Sequence, residues 1–263
     1  MLDNNVLIFD IETVADCDGY RLLHRLPEDL SENEIVAIMN NERLAENGST
    51  FYRHHLHKVV AISLLLLSGN KIKLWSLGRE NETEQSLIAR FFAGIDKTLP
   101  TLVSWNGSGF DLPVLHYRAL FHGISAPAYF EIGEQDNQFR YNNYISRFHW
   151  RHIDMMDVLS GYQANTRASL NDVAKLCALP GKLDTDGSQV QTLWRNGEKE
   201  KICDYCETDV LNTYGVYLRF ELLRGRLQPA EYEEKIAQLR AYLQHLSENG
   251  ATHITEFLEA WHV

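Results

Sequence analysis

The sequence predicts an α/β fold in which strands alternate with amphipathic helices. Three observations predict it. An apolar run near the N-terminus ends in acidic residues, two strand-like runs follow with only Ser68-Gly69-Asn70 between them, and helical and strand-like spacings then alternate over residues 84–121. Helical patterns dominate the second half. A chain of 263 residues can bury a sizeable core, and we expect one domain with additions.

The first element is an apolar strand, Val6-Leu7-Ile8-Phe9, which continues into Asp10-Ile11-Glu12-Thr13. Side chains alternate between the two faces of a strand, so Asp10 and Glu12 are predicted to point to the same side. Two neighbouring carboxylates repel each other unless a cation neutralises them. This pair is therefore a candidate metal site.

A polar segment, residues 15–57, separates this strand from the next. The spacing in Ser31-Glu32-Asn33-Glu34 is that of a capping box, which predicts a helical insertion. The segment ends in a basic strip, Arg53-His54-His55-Leu56-His57-Lys58. This strip either contacts phosphates or lines a solvated turn, and the turn is the simpler interpretation.

The remaining elements follow from hydrophobic spacing. Residues 59–67 and 71–77 form a predicted antiparallel hairpin. Further strands are predicted at residues 101–105 and 149–153, and helices at residues 84–95, 112–121, 155–162, 169–177, 189–194, 199–224, 230–247 and in a last short stretch up to residue 262.

Two further motifs carry acidic residues. The run Val103-Ser104-Trp105-Asn106-Gly107-Ser108-Gly109-Phe110-Asp111-Leu112-Pro113 predicts a strand, a glycine-bearing turn and a helix start, with Asp111 at the mouth of the helix. Taken alone, Asp111 could simply cap that helix. In Tyr205-Cys206-Glu207-Thr208-Asp209 a spacing of four places Tyr205 and Asp209 on one helix face.

Several other polar groups have simpler explanations. Asp154 and Asp157 are explained by helix capping, and Asp184 and Asp186 by turn formation. Cys203 and Cys206 form a CxxC without a second ligand pair, which favours buried helix positions over zinc or redox chemistry.

One aromatic and basic segment leaves two interpretations open. Residues 139–152 interleave aromatic side chains with arginines. This composition is typical of a platform for single-stranded nucleic acid. It would also fit a long loop whose aromatic residues pack inward while its arginines face solvent.

Composition restricts the class of partner. A net charge of −11 argues against a broad basic surface for duplex nucleic acid, although a carboxylate cluster can reach phosphate through metal ions. The longest apolar stretch, residues 59–67, is far shorter than the roughly 18 residues of a membrane helix, so we expect no membrane partner. The N-terminus lacks the features of a signal peptide, and four cysteines do not make a disulfide scaffold. We expect a cytoplasmic protein.

The three acidic motifs, in this order, resemble those of the DnaQ-like, or DEDD, 3′–5′ exonuclease superfamily. Phe9-Asp10-Ile11-Glu12-Thr13 is similar to its first motif, Asn106-Gly107-Ser108-Gly109-Phe110-Asp111 to its second, and the YxxxD of Tyr205 and Asp209 to the third motif of its DEDDy branch. Within this branch the chain resembles stand-alone bacterial proteins similar to the proofreading exonuclease domain of family B DNA polymerases.

The resemblance spans about residues 5–220 and implies an RNase H-like fold. That fold has a mixed five-stranded sheet, with its first three strands antiparallel, flanked by helices. We expect the exonuclease domain to cover residues 1–227, including the insertion at 15–57, and residues 228–263 to form a helical extension packed on it.

The resemblance also implies the roles of the site residues. Asp10, Glu12, Asp111 and Asp209 would hold two Mg²⁺ ions, which Mn²⁺ could replace, since oxygen ligands suit these ions. Tyr205 would orient the attacking water. Thr13, Asn106 and Phe110 would contact the terminal nucleotide.

The implied activity is removal of nucleoside 5′-monophosphates from the 3′ end of single-stranded nucleic acid, with DNA favoured over RNA. Because 263 residues leave no room for a polymerase, proofreading would need a polymerase or repair partner. The alternative is a non-catalytic or partner-dependent accessory protein that only binds nucleic acid, and an RNase H-like endonuclease is a third class.

Overall fold

A mixed five-stranded sheet organises the computed structural model, which describes residues 5–183 and 187–261. Its strands are β1 (Asn5–Ala15), β2 (His57–Ser68), β3 (Lys71–Leu77), β4 (Thr101–Ser104) and β5 (His152–Asp154). Their order is β3-β2-β1-β4-β5. The pairs β1–β2 and β2–β3 are antiparallel, whereas β1–β4 and β4–β5 are parallel. The predicted sheet, with its first three strands antiparallel, is confirmed.

Helices cover both faces of the sheet. In the described residues they are α1 (Cys17–His24), α2 (Glu32–Asn47), α3 (Glu84–Thr98), α4 (Asp111–His122), α5 (Pro127–Phe130), α6 (Met155–Leu159), α7 (Leu170–Leu176), α8 (Val190–Arg195), α9 (Lys199–Leu223), α10 (Pro229–Glu248) and α11 (Thr252–Ala260). Short 3-10 turns lie at His54–Leu56, Asn137–Phe139, Ala164–Thr166 and Gly187–Gln189.

The alternation of side chains in β1 divides the core into two layers. Leu7 and Phe9 pack with α3 and α4 on one face, while Val6 and Ile8 pack with α9 and α10 on the other. Asp10 continues the alternation of Val6 and Ile8. The acidic end of β1 therefore faces α9, the longest described helix.

The insertion between β1 and β2 contains two helices, α1 and α2. The predicted capping box is present at the start of α2, where the Ser31 side chain and Glu34 satisfy each other's backbone N–H groups. Its apolar residues form a small separate cluster that includes Tyr20, Ile35 and Met39. The insertion thus has its own core beside the end of β1.

The C-terminal helices α10 and α11 pack against α9. The phenol oxygen of Tyr242 on α10 accepts a hydrogen bond from the backbone N–H of Leu74 on the edge strand β3. This contact satisfies part of an otherwise unpaired strand edge. The division of the chain after residue 227 remains a prediction.

The structure moves one end of each of two predicted elements inward by three residues and lengthens the helix predicted at 84–95, which ends at Thr98. The strand predicted at 149–153 begins only at His152, because His149 lies in a turn and its ring nitrogen accepts a hydrogen bond from the Asn143 N–H. The helix predicted at 155–162 ends at Leu159, and positive φ angles at Gly161 and Tyr162 stop it. No helix among the described residues is long and apolar enough to cross a membrane.

Candidate active site

The acidic end of β1 lies directly beside α9. A register shift between Glu12 and Thr13 interrupts the β1–β2 ladder immediately after the acidic pair. The ligand atoms of Asp10 and Glu12 and the sulfur of Cys206 lie within 4.8 Å of one another. The Cys206 thiol lies 3.4 Å from the Asp10 backbone oxygen and 3.5 Å from Asp10 Oδ2. Cys206 therefore fixes the position of the strand carboxylate against the helix.

Helix α9 presents Tyr205 and Asp209 to the same space. Asp209 is buried, and its Oδ1 has no hydrogen-bond partner. Lys182, in the loop that precedes α8, places its Nζ 2.6 Å from the Tyr205 hydroxyl and 3.7 Å from Asp209 Oδ2. Because an ammonium group can only donate, the Tyr205 oxygen is the acceptor, and its own O–H can donate to the neighbouring Asp209 carboxylate.

Asp111 joins the second motif to the first. It is the first residue of α4, whose N-cap is Phe110, so Asp111 does not occupy the capping position that the sequence suggested as an alternative. Its Oδ1 instead accepts a hydrogen bond of 3.1 Å from the backbone N–H of Ile11, between the two acids of β1. This hydrogen bond of the buried carboxylate thus connects the N-terminus of α4 to the acidic part of β1.

The four carboxylates share a buried environment that raises their pKa values. Burial, together with the charges of Asp111, Glu12 and Asp209, raises the pKa of Asp10 well above its usual range. Burial and the charge of Asp209 do the same for the pKa of Glu12. Burial raises the pKa of Asp111 to about 7 and also raises that of Asp209. Without a bound cation, the ionised form of each acid in this cluster is therefore destabilised.

The donor set fits a divalent cation. It offers four carboxylates and a buried Asp209 oxygen that no protein group satisfies. Lys182 is the sole lysine or arginine of the described residues that forms a salt bridge with any of these four acids. Hard oxygen ligands favour Mg²⁺ or Mn²⁺ over Zn²⁺. Burial also raises the pKa of Cys206, which keeps it a neutral thiol and a poor metal ligand.

Two of the three residues predicted to contact substrate line an adjoining cavity of about 650 Å³. Glu12, Thr13 and Phe110 line the cavity together with Phe51. Phe51 comes from the insertion, and its ring centroid lies 5.4 Å from that of Phe110. Asn106 belongs to the same turn as Phe110 and has φ of +64°, a left-handed conformation that asparagine tolerates better than most residues.

The basic strip forms the expected solvated turn only in part, with Arg53 and His55 exposed. His57 is buried, its Nδ1 lies 2.8 Å from Thr13 Oγ1, and burial lowers its pKa to about 4. The ring Nε2 of His54 lies 2.8 Å from the Gly109 carbonyl oxygen. The strip therefore ties the insertion to the first and second motifs, and a neutral His57 cannot attract phosphate by charge.

The other acids and thiols have structural surroundings. Asp154 caps α6, as predicted, and also accepts hydrogen bonds from the N–H groups of Asn106 and Ser108. Asp157 is buried between Arg147 and Arg167. Cys203 and Cys206 are both buried in α9. The turn predicted for Asp184 and Asp186 lies outside the described residues.

Sequence reasoning missed three residues of the site. Lys182 stands in the run Gly181-Lys182-Leu183, where nothing in the local pattern gives the lysine a role. Phe51 precedes the basic strip, and only its aromatic character could have singled it out. Cys206 lies inside the third motif, where a helical spacing of three from Asp209 was available as a signal.

Comparison with known proteins gives the chain a family context. A family model described as "Predicted 3′-5′ exonuclease related to the exonuclease domain of PolB" matches residues 49–261. The match includes Asp111, Tyr205 and Asp209, whereas Asp10 and Glu12 precede it.

Sequence relatives and a solved structure agree with this context. The chain is 27% identical over 143 residues to the DNA polymerase epsilon catalytic subunit of Schizosaccharomyces pombe, and 29% identical over 145 residues to that of Kluyveromyces lactis. Each match covers 52% of this chain but only 6% of the polymerase protein.

The family B DNA polymerase of the archaeon Pyrobaculum calidifontis aligns with a TM-score of 0.51 at 18% identity. This alignment covers 84% of the present chain and 25% of the polymerase chain. The structural likeness shows the fold, a mixed sheet with flanking helices of the exonuclease and RNase H-like type.

Proposed function

Because this chain belongs to the family of predicted 3′–5′ exonucleases related to the exonuclease domain of PolB, we propose that it is an active, metal-dependent 3′–5′ exonuclease. Its substrate would be single-stranded nucleic acid, which it would hydrolyse from the 3′ end to nucleoside 5′-monophosphates. DNA is the favoured substrate, since the curated relatives are catalytic subunits of DNA polymerases.

The unsatisfied Asp209 Oδ1 carries this proposal. A buried carboxylate oxygen without a partner is costly, and here it belongs to a cluster of four mutually repelling acids. Two bound Mg²⁺ ions, held by Asp10, Glu12, Asp111 and Asp209, would supply Lewis-acid chemistry at the phosphodiester. Such a cluster is better suited to activity than to an accessory role that only needs to bind nucleic acid.

Tyr205 acts in this proposal as a neutral hydrogen-bonding group. Burial and the charges of Asp209, Glu12 and Asp10 raise its pKa far above the ordinary phenol value, so it keeps its proton at neutral pH. Lys182 holds the hydroxyl oxygen from one side. The Tyr205 O–H can therefore orient the attacking water or a phosphate oxygen, but it does not take a proton as a general base.

A cleavage assay tests the proposal. Single-stranded DNA and RNA of the same sequence, labelled at the 5′ end, are incubated with Mg²⁺, Mn²⁺ or EDTA. We expect a metal-dependent ladder that shortens from the 3′ end, faster on DNA, and absent in Asp10→Ala. Tyr205→Phe should slow cleavage, but less completely than Asp10→Ala.

A closed single-stranded circle provides the control for end dependence. The circle should stay intact under conditions that degrade the linear strand. Cleavage of the circle would instead assign the protein to the endonucleases, and no cleavage of any strand would contradict a catalytic role.

A further inference from the structure

The aromatic and basic segment at residues 139–152 divides into an inner and an outer part. Phe139 and Tyr144 are buried, and the guanidinium carbon of Arg151 lies 4.1 Å and 5.5 Å from their ring centroids. These residues have a packing role. Phe148, in contrast, is 70% exposed, and its neighbour Arg147 keeps 44% of its side chain accessible. Only the outer part is available to a ligand.

Two arginines converge at this outer part on one buried acid. Arg147 Nε and Nη2 lie 2.7 Å and 2.8 Å from the two oxygens of Asp157, and Arg167 Nη2 lies 2.8 Å from Oδ1. The side chain of Asp157 is only 2% exposed. A single carboxylate thus orients two guanidinium groups through charge-assisted hydrogen bonds.

Both guanidinium groups keep unused donors. Among the described residues, Arg147 Nη1 and the Nε and Nη1 of Arg167 have no further hydrogen-bond partner. Asp154, the other acid nearby, does not compete for them, because its oxygens already accept hydrogen bonds from the N–H groups of Asn106, Ser108 and Met156.

A cavity of about 320 Å³ separates the arginines from the turn of the second motif. Ser108, His116, Arg147 and Arg167 are among its lining residues. The Nε2 atom of His116 is buried without a partner, and burial lowers the pKa of this histidine to about 4, so that the ring is neutral. The cavity therefore combines cationic donors with a neutral, unsatisfied imidazole.

An aromatic pair adjoins the arginines, and of its two rings Phe148 is exposed while Tyr162 is partly buried. The ring centroids of Phe148 and Tyr162 are 5.0 Å apart in an edge-on arrangement, and the Arg147 guanidinium lies 5.4 Å from the Tyr162 ring. A phosphate donor beside an exposed ring is the combination that binds successive units of a single strand. The turn that forms the other wall contains Asn106, which belongs to the candidate active site.

We propose that Arg147 and Arg167 bind a backbone phosphate of single-stranded nucleic acid on the 5′ side of the nucleotide being removed, and that Phe148 stacks on a neighbouring base. The inference rests on the proposed exonuclease function and adds a second, metal-independent subsite to it. In a protein with a net charge of −11, such a local cationic site allows the strand to be held away from the acidic centre.

Substrate length tests this subsite. Steady-state cleavage of a dinucleotide and of a 15-residue DNA strand is compared for the wild type, Arg147→Gln and Phe148→Ala, with the exposed Arg140→Gln as a matched control. We expect both variants at the subsite to raise KM for the long strand by about tenfold, with kcat and dinucleotide cleavage unchanged. Equal effects on both substrates, or none, would overturn the proposal.

Binding without metal provides a readout that is independent of catalysis. Fluorescence anisotropy of a labelled 15-residue strand in EDTA should show weaker binding for Arg147→Gln, and a slope of log affinity against log salt that is smaller by about 0.7. Arg140→Gln should match the wild type. A wild-type protein that cleaves nothing would contradict the proposed function, whereas unchanged binding in both Arg147→Gln and Phe148→Ala would contradict the subsite.

Phe148→Ala guards against a folding artefact. Arg147 is an ion-pair partner of a buried acid, so its replacement can lower stability, but Phe148 is mostly exposed. Thermal unfolding of each variant establishes that the fold is intact. Weakened binding by Phe148→Ala at wild-type stability supports the subsite independently of the arginine variant.

Discussion

Helix α9 carries two acidic clusters with opposite electrostatic character. Toward β1 it contributes Asp209 to the candidate active site. Elsewhere on the helix, Asp204 and Glu207 meet Arg79 at 2.7 Å and 2.9 Å and His253 at 3.2 Å and 2.8 Å. The acids of the second cluster have hydrogen-bonding and ion-pair partners within the protein, and we call it the paired cluster.

The pKa shifts record this difference. Burial alone would raise the pKa of Glu207, but His253, Arg79 and Ser76 outweigh burial and lower it. In the active-site cluster, burial and the neighbouring acids act in the same direction, and the pKa values of Asp10 and Glu12 rise. The acids of the paired cluster have internal partners that offset burial, whereas the active-site acids are the ones to which the proposed function assigns a cation.

The largest expected effect concerns catalysis. Asp209→Asn removes a metal-binding charge with little change of shape, and should lower the cleavage rate about 10³-fold or more. Glu207→Gln, two residues away on the same helix, should retain near wild-type kcat. The variants are compared in the 5′-labelled strand assay.

Thermal unfolding with and without Mg²⁺ provides a second readout for this pair. Mg²⁺ should stabilise the Glu207→Gln variant but not Asp209→Asn. A comparable loss of rate in both variants would contradict the conclusion that only the active-site cluster takes part in catalysis.

The next effect concerns stability. Glu207→Ala leaves Arg79 and His253 with only the partly exposed Asp204 as an acidic partner, and should lower the free energy of unfolding by about 1–3 kcal/mol. Asp209→Asn in EDTA should be at least as stable as the wild type, because it removes repulsion. Urea unfolding monitored by circular dichroism measures both, and a stable Glu207→Ala would show that the paired cluster contributes little to the fold.

The smallest effect is a difference in pH dependence. The pKa of Asp111 is raised to about 7 in the fold, above its value in the unfolded chain, so its contribution to stability is present at low pH and is lost as pH rises through about 7. The pKa of Glu207 is lowered, so its contribution is present at neutral pH and is lost on acidification.

In EDTA, Asp111→Asn should therefore reduce the loss of stability between about pH 4 and pH 7, by up to a few kcal/mol. Urea unfolding at several pH values measures this effect. Mg²⁺ should reduce the same loss in the wild type, because it favours the ionised acids. A pH profile identical in wild type and Asp111→Asn would show that Asp111 does not contribute to the pH dependence of stability.

Local patterns in the sequence predicted much of the site. The strand period placed Asp10 and Glu12 on one side, and the structure puts that side against α9. The helical period placed Tyr205 and Asp209 together. The capping box of α2 also followed from a local signal. Short-range geometry is sufficient for these features because the residues involved are close in sequence. The mixed sheet, in contrast, was implied by the family resemblance.

Contacts between distant segments were not predictable in this way. Lys182 approaches Tyr205 from a loop 23 residues earlier, and His57 packs against Phe51 and Tyr52 of the insertion. The composition of residues 139–152 did not show which aromatic residues pack in the core and which face solvent. Tertiary packing alone separates the buried Tyr144 from the exposed Phe148.

Asp154 connects the local unfolding of the second-motif turn to that of the start of α6. Its carboxylate accepts hydrogen bonds from the amides of Asn106 and Ser108 in the turn, and from those of Met156 and Asp157 at the start of α6. Amides that share one acceptor group are released together when that group departs. In a deuterium-exchange experiment these four amides should exchange as one unit. The turn of the second motif should therefore keep its conformation for as long as the end of β5 stays folded.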